Sequence, residues 1–281
     1  MKVQTRTPLS RAFDHVILLG GLVFLLLPVM LLGLAATHST GALAQSGLTF
    51  QIGDSAGDNF ASALSLTTGL TDQVSFWQMM LNSMVLALGV AGLTTLLSFA
   101  AAYSIVYFKQ PLANTFLWVS LATLLLPIES RFLPTFEVAA SLGLVNSHVG
   151  MILPVLAFGL GTLFFRQGFI SLPETLLEAA RLDGAGPFRF WIDFIVPLTA
   201  RRAGAVFIVT FMIGWNQYLW PLLMSTQENH YTVLRGLRLV GIESGAGVAF
   251  AVLSILPALV LFIVFQRFVL GDLHMKAGVH D

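Results

Sequence analysis

The residues best placed to do chemistry crowd between Arg166 and Arg202. They are Arg166, Glu174, Glu178, Arg181, Asp183, Arg189, Asp193, Arg201 and Arg202, nine of the 28 acidic and basic residues in the chain. Within that interval the run Ser171–Leu198, SLPETLLEAARLDGAGPFRFWIDFIVPL, is polar and helix-forming. Charge at this density is not stable in hydrocarbon, so the segment belongs in water or against another protein. Carboxylates and guanidinium groups on a short helix suit ion pairing with a partner surface, and no catalytic set is read from them.

Other groups sit near apolar stretches. Glu129, Arg131 and Glu137 cluster together, and the planar fork of Arg131 suits a phosphate because it bonds two oxygens at once. The competing reading is an internal ion pair with Glu129 or Glu137, or snorkelling to lipid headgroups. Trp215, Asn216, Gln217, Tyr218 and Trp220 form a polar-aromatic group that suits a wet cavity, although such residues also populate membrane-interface belts. An amide such as Asn216 in a span needs hydrogen-bonding partners, in a pathway or at a subunit interface. Asn82-Ser83 carries the same two readings. The six histidines never fall at i, i+4 spacing and there is no cysteine, so no metal site is expected. A nucleotide-binding loop requires Lys after Gly, and none of Lys2, Lys109 and Lys276 follows one.

These groups must be positioned by membrane helices. The chain has 281 residues, is 56% hydrophobic and 10% charged, and has a mean hydropathy of +0.84, all outside the soluble globular range. Its net charge of zero suggests no nucleic-acid partner. A basic arm (Lys2, Arg6, Arg11) precedes an apolar run from Val16 to Ala36, long enough to cross a bilayer. Ala42-Leu43-Ala44 resembles a signal cleavage site, but it lies well beyond the apolar run, and a retained first helix is expected. Residues 37 to about 77 lack Lys and Arg and read as a translocated loop. Further spans are expected near Met79–Phe108, from about Ala113 with breaks at Pro127 and Pro134, and near Val149–Ile170. The last two are expected near Ala203–Met224 and Val248–Leu270.

Within the polar segment, Ser171 and Glu174 have capping-box spacing, Gly184 is placed to end the helix, and a second short helix is expected from Pro187 to Pro197. With the N-terminus inside, eleven of the fourteen Lys and Arg residues face the cytoplasm; only Arg131, Arg235 and Arg238 do not. Both termini and the Ser171–Leu198 segment are therefore expected in the cytoplasm. The expected organisation is an arm, first span and loop over 1–78, a five-helix core over 79–270 containing a coupling loop at 166–202, and a tail at 271–281.

Glu178-Ala179-Ala180, then Gly184 and Pro197, resemble the EAA loop of permease subunits of bacterial binding-protein-dependent ABC importers. That pattern is Glu-Ala-Ala, three residues, Gly, nine residues, Ile, one residue, Leu-Pro; here Phe194 and Val196 replace the Ile and Leu. Leu81-Asn82-Ser83, Leu126-Pro127-Ile128-Glu129, Arg131-Phe132-Leu133-Pro134-Thr135, Phe165-Arg166-Gln167 and Gly214–Leu222 extend the likeness over most of the chain. They are most similar to members that import sn-glycerol-3-phosphate, with maltose-type sugar permeases a looser match.

The resemblance implies an all-α, six-helix type I importer permease in the bacterial inner membrane, a transport subunit rather than an enzyme. It implies a sister permease, two ATPase subunits that bind ATP and Mg, and a periplasmic substrate-binding protein as partners, with membrane lipid around the spans. Glu178, Ala179, Ala180, Arg181, Asp183 and Gly184 would couple to the ATPase. There Ala179 and Ala180 would let the helix sit close, Glu178 would pair with a basic group, and Asp183 would help fix the turn. A self-contained hairpin with Leu176, Leu177 and Leu182 packed on the chain's own helix ends is the plainer alternative. Asn82, Glu129, Arg131, Trp215, Asn216 and Tyr218 are candidates for the substrate path. Rival functions are a stand-alone secondary transporter, which would usually show internal repeats, and a membrane enzyme acting on lipid phosphates.

Overall fold

The computed structural model describes residues 8–47, 50–65, 75–108 and 110–277; the side chains of 8–12, 46, 128–129 and 267–277 lie outside the description. No β-strand forms among the described residues. The helices are α1 (Pro8–Ala35), α2 (Thr40–Ser46), α3 (Ala56–Ser65), α4 (Phe76–Tyr107), α5 (Ala113–Ala122), α6 (Ile128–Ser141), α7 (His148–Ile152), α8 (Gly159–Ile170), α9 (Glu174–Leu182), α10 (Pro187–Phe190), α11 (Val196–Trp215), α12 (Leu219–Met224), α13 (Val233–Val240) and α14 (Gly245–Ala277).

Four stretches are long and apolar enough to cross a membrane: Phe13–Ala35, Phe76–Tyr107, Pro187–Trp215 and Gly245–Gln266. Two bent pairs supply the other spans. Ala113–Leu125 meets Ser130–Ser141 at 110°, and His148–Val155 meets Gly159–Ile170 at 55°. Counting each pair as one span gives the six of the sequence reading. Proline accounts for the first bend. It disfavours helical backbone in the residue before it, and Leu126, before Pro127, is extended (φ −77°, ψ 127°). Pro154 sits in a short 3₁₀ segment, Leu153–Val155, at the second.

Three expectations about helix limits need correction. The fifth span starts at Pro187 rather than near Ala203, and it ends at Trp215, with Leu219–Met224 a separate short helix. Pro197 therefore ends nothing. The i→i+5 turns of a π segment, Trp191–Ile195, carry the helix past the donor that proline lacks and past the clash its ring makes in an α-helix. The capping box is also absent. The Ser171 hydroxyl donates back to the Gly168 carbonyl (2.7 Å), and Pro173 takes the N-cap position of α9.

The chain divides into two compact units. The first comprises residues 1–76 and 237–255. Its α1 is exposed along its apolar length, as a lipid-facing helix should be. The polar stretch that follows is more ordered than its composition suggests. Ser39 caps α2 by accepting from the Ala42 N–H (3.3 Å). The Asn59 amide, on α3, donates to the Ala36 and His38 carbonyls (2.9 and 2.8 Å). Thr37 accepts the Gly53 N–H on its hydroxyl (2.7 Å), and Phe76 meets Phe250 edge-on at 5.2 Å.

The second unit comprises residues 77–236 and 256–281 and holds three apolar clusters that share α4, two of them on adjacent faces at one level. One joins the end of α4 to α8, α9 and α10 through Phe99, Tyr103, Phe165, Phe169 and Phe190. Another joins Leu86 and Val90 to Ala139, Met151, Trp220 and Met224. In the third, Ala87 and Ala91 meet Phe211, Trp215 and Ala258.

Candidate coupling site

The hairpin after α8 is built by local rules. Helix α9 stops where Gly184 takes φ +76°, a left-handed conformation that costs glycine little. The Gly184 N–H donates to the Arg181 carbonyl (3.0 Å) and the Ala185 N–H to the Ala180 carbonyl (2.9 Å), the paired bonds of a Schellman stop. Gly186 is extended before Pro187, and α10 then runs through the π segment into α11.

One face of the hairpin is committed to the chain itself. Ala180 is buried, and Leu176, Leu177 and Ala185 pack beside it on the aromatic cluster at the ends of α4 and α8. Tyr103 fastens the second arm: its hydroxyl donates to the Pro187 carbonyl (2.7 Å), and its ring stacks on Trp191 at 6.0 Å. Tyr107 meets Phe190 edge-on at 5.3 Å. The Tyr103→Phe variant loses that one hydrogen bond. It should cost about 1 kcal/mol and speed amide exchange over 188–190, measured by hydrogen–deuterium exchange.

The opposite face is open. Glu174, Glu178, Ala179, Arg181 and Asp183 are exposed, Leu182 is 89% exposed and Phe188 68%. Glu178 has no partner among the described residues, whereas Arg189 pairs with Asp193 at 3.2 Å. The self-contained hairpin is thus half realised, since Leu176 and Leu177 turn inward and Leu182 does not. The two alanines also part company: Ala179 faces out and Ala180 faces the aromatic core, because successive helical residues lie about 100° apart. Backbone bonds close the turn, and Asp183, its C-cap, makes no side-chain bond among the described residues. Arg202 lies over the Phe164 ring (5.8 Å to its centroid) and against Gly168.

The candidate path residues lie elsewhere in this unit and are not brought into one site. Asn82 is buried, and all four of its hydrogen-bonding positions are used. It donates to the Asn229 and Tyr231 carbonyls (2.8 and 2.9 Å) and accepts from the Gln78 amide (3.2 Å) and His148 Nε2 (3.1 Å). Such bonding makes it a clamp between the start of α4, the start of α7 and the 229–231 loop. Ser83 extends the clamp by accepting the Val233 N–H (2.8 Å). Arg131 is half-buried on α6, forms no ion pair with Glu137, and leaves its Nε buried and unpartnered among the described residues. The side chain of Glu129 lies outside the description.

Trp215 is buried and stacks on Phe211 at 5.8 Å, while Asn216 is exposed and donates back to the Met212 carbonyl (2.8 Å). Gln217 and Tyr218 occupy the break between α11 and α12 rather than a continuous span. Arg235 is not available to an outside partner: its guanidinium donates to the Leu222 carbonyl (3.2 Å) and to Ser225 at the end of α12, and lies 3.7 Å over the Tyr231 ring. Sequence reasoning missed Asn146. Its φ of +57°, tolerated by Asn, turns its side-chain oxygen onto the Thr226 and Gln227 N–H groups (2.7 and 2.9 Å).

Apolar spans with proline breaks, and one charged hairpin seated by its inner face, define a multi-pass helical membrane protein. The chain belongs to the family described as binding-protein-dependent transport system inner membrane component, whose match covers residues 94–272. It is 38% identical over 262 residues to the sn-glycerol-3-phosphate transport system permease protein UgpE of Salmonella typhi, covering 91% of this chain and 92% of that one. The UgpE of Shigella flexneri is 38% identical over 267 residues, covering 92% and 94%. Among solved structures, a bacterial ABC transporter involved in the import of the acidic polysaccharide alginate matches with a TM-score of 0.78 at 19% identity, over 94% of this chain and 99% of that one. This last likeness carries the fold, which is the all-helical importer permease fold expected from the sequence.

Proposed function

We propose that this chain forms half of the pathway of an ABC importer for sn-glycerol-3-phosphate, and that the Glu174–Arg189 hairpin couples the pathway to ATPase subunits. The observation that carries the coupling is the two-faced hairpin. Its inner face is locked into the ends of α4 and α8, so a push on its outer face is transmitted to the spans. Glu178, with no partner among the described residues, is left to meet a basic group on the ATPase subunit, and ATP and Mg are bound there. A sister permease completes the pathway and a periplasmic protein delivers substrate. The distribution of Lys and Arg supports cytoplasmic termini and a cytoplasmic hairpin. The names of the relatives support the substrate, in preference to a maltose-type sugar.

The test is uptake by the complete importer in proteoliposomes, offered labelled sn-glycerol-3-phosphate or maltose. Selective, ATP-dependent uptake of the phosphate ester is expected; uptake of maltose alone would replace the substrate. Arg131, with its buried, unpartnered Nε, is the residue proposed to meet the phosphate. Arg131→Ala should raise KM for the phosphate ester about ten-fold, as loss of a charge-assisted contact worth about 1.4 kcal/mol does. Unchanged uptake kinetics would leave Arg131 to an ion pair with Glu129 or to the lipid headgroups.

A further inference from the structure

Where the ends of α4 and α8 meet α9, a cleft of about 540 Å³ opens. Its rim carries two half-exposed apolar side chains, Phe108 and Ile170. Its polar lining carries both signs of charge: Arg166 and Arg181, with Glu174 and Glu178. None of these four pairs with another among the described residues. Arg166 is held in place by Asn114, whose side-chain oxygen accepts from it at 3.3 Å, yet its Nε is buried and unpartnered. The terminal N–H groups of Arg166 have only the Asn114 oxygen as a side-chain acceptor among the described residues, which leaves its guanidinium with donors for an anionic oxygen in the cleft.

We infer that the cleft binds the headgroup of a zwitterionic aminophospholipid. The phosphate sits on Arg166 and Arg181, the ammonium faces Glu174, and the first stretch of acyl chain runs along Phe108 and Ile170. Each feature of the lining then has a counterpart. A glycerol headgroup would meet the arginines through its phosphate but offer the carboxylates neutral hydroxyls in place of a cation. A choline headgroup carries the right charges but has no N–H to donate to Glu174. A soluble phosphoethanolamine shares the headgroup chemistry but gains nothing from the apolar rim. Bound there, the lipid ties the first turn of α9 to the ends of α4 and α8. The consequence for coupling rests on the function proposed above; the binding does not, and the two are read separately.

The experiment is native mass spectrometry of the complete importer, given phosphatidylethanolamine, phosphatidylglycerol, phosphatidylcholine or soluble phosphoethanolamine. Phosphatidylethanolamine should be retained preferentially, and Arg166→Gln should lower its retention at least about five-fold, since a charge-assisted contact is lost. Should that variant fail to assemble, Asn114→Ala, which frees Arg166, and Phe108→Ala, which trims the rim, should each lower retention with the complex intact. Equal retention of the three lipids, or full retention by all of these variants, would reduce the bound lipid to non-specific annular lipid and overturn the site. Equal displacement by soluble phosphoethanolamine would overturn its lipid form. Retention only after the ATPase subunits are removed would give the cleft to a protein occupant instead.

Discussion

An importer carrying Glu178→Lys together with Gly184→Pro in this chain should hydrolyse ATP without moving substrate. Proline holds φ near −65° and has no N–H, whereas Gly184 stands at φ +76° and donates to the Arg181 carbonyl. The Gly184→Pro change therefore removes the stop that shapes the outer face, and Glu178→Lys reverses the charge offered to the ATPase. The inner face, held by Ala180, Leu176 and Leu177, should remain seated, so the spans still insert. Uptake is expected to fall at least about ten-fold, which about 1.4 kcal/mol of lost docking energy produces, while the purified complex continues to turn over ATP. Uptake at the unaltered rate would remove the hairpin from the transmission path.

Asn82→Leu should be the most destabilising single change among the candidate residues, at about 3 kcal/mol, because it strands the buried Tyr231 carbonyl and the half-buried His148 ring nitrogen on two other segments at once. The Tyr231 carbonyl loses its donor and His148 Nε2 its acceptor, while the exposed Gln78 amide and Asn229 carbonyl keep each other at 3.5 Å. Thermal unfolding of the purified complex measures the loss. A substrate contact predicts the opposite pattern, an altered KM with an unaltered melting temperature, and that result would discard the clamp. The clamp and the hairpin are joined by α4 itself: from Asn82 to Tyr103 is about 30 Å at 1.5 Å per residue. A rigid helix over that distance links the 229–231 loop to the Pro187 anchor.

What the sequence made legible was what neighbouring residues decide. The spans follow from apolar runs, and the stop at Gly184 follows from glycine before a polar turn; both are seen. The break at Pro127 is equally local, whereas Pro134, expected to break the same span, lies inside α6 and breaks nothing. Long-range partners were not legible. Nothing near Asn82 announces carbonyls 147 and 149 residues away, and nothing near Arg235 announces that the end of α12 will use its guanidinium. Asn59 and Asn146 were hidden for the same reason, as polar residues in polar stretches whose bonds appear only once distant segments meet. The inward face of Ala180 was missed because the triplet was treated as one surface, when helical phase sends its members in different directions.

The π segment at Trp191–Ile195 has a consequence for α11. One inserted residue sets back the angular phase of everything after it by about 100° relative to an uninterrupted α-helix. Thr199, Val206 and Phe211 point into the bundle because of that offset. Winding 191–195 as plain α-helix at unchanged length would rotate them away, whereas deleting a single residue there would close the wide turn and keep them inward, so this short wide turn sets which stripe of α11 the lipid touches.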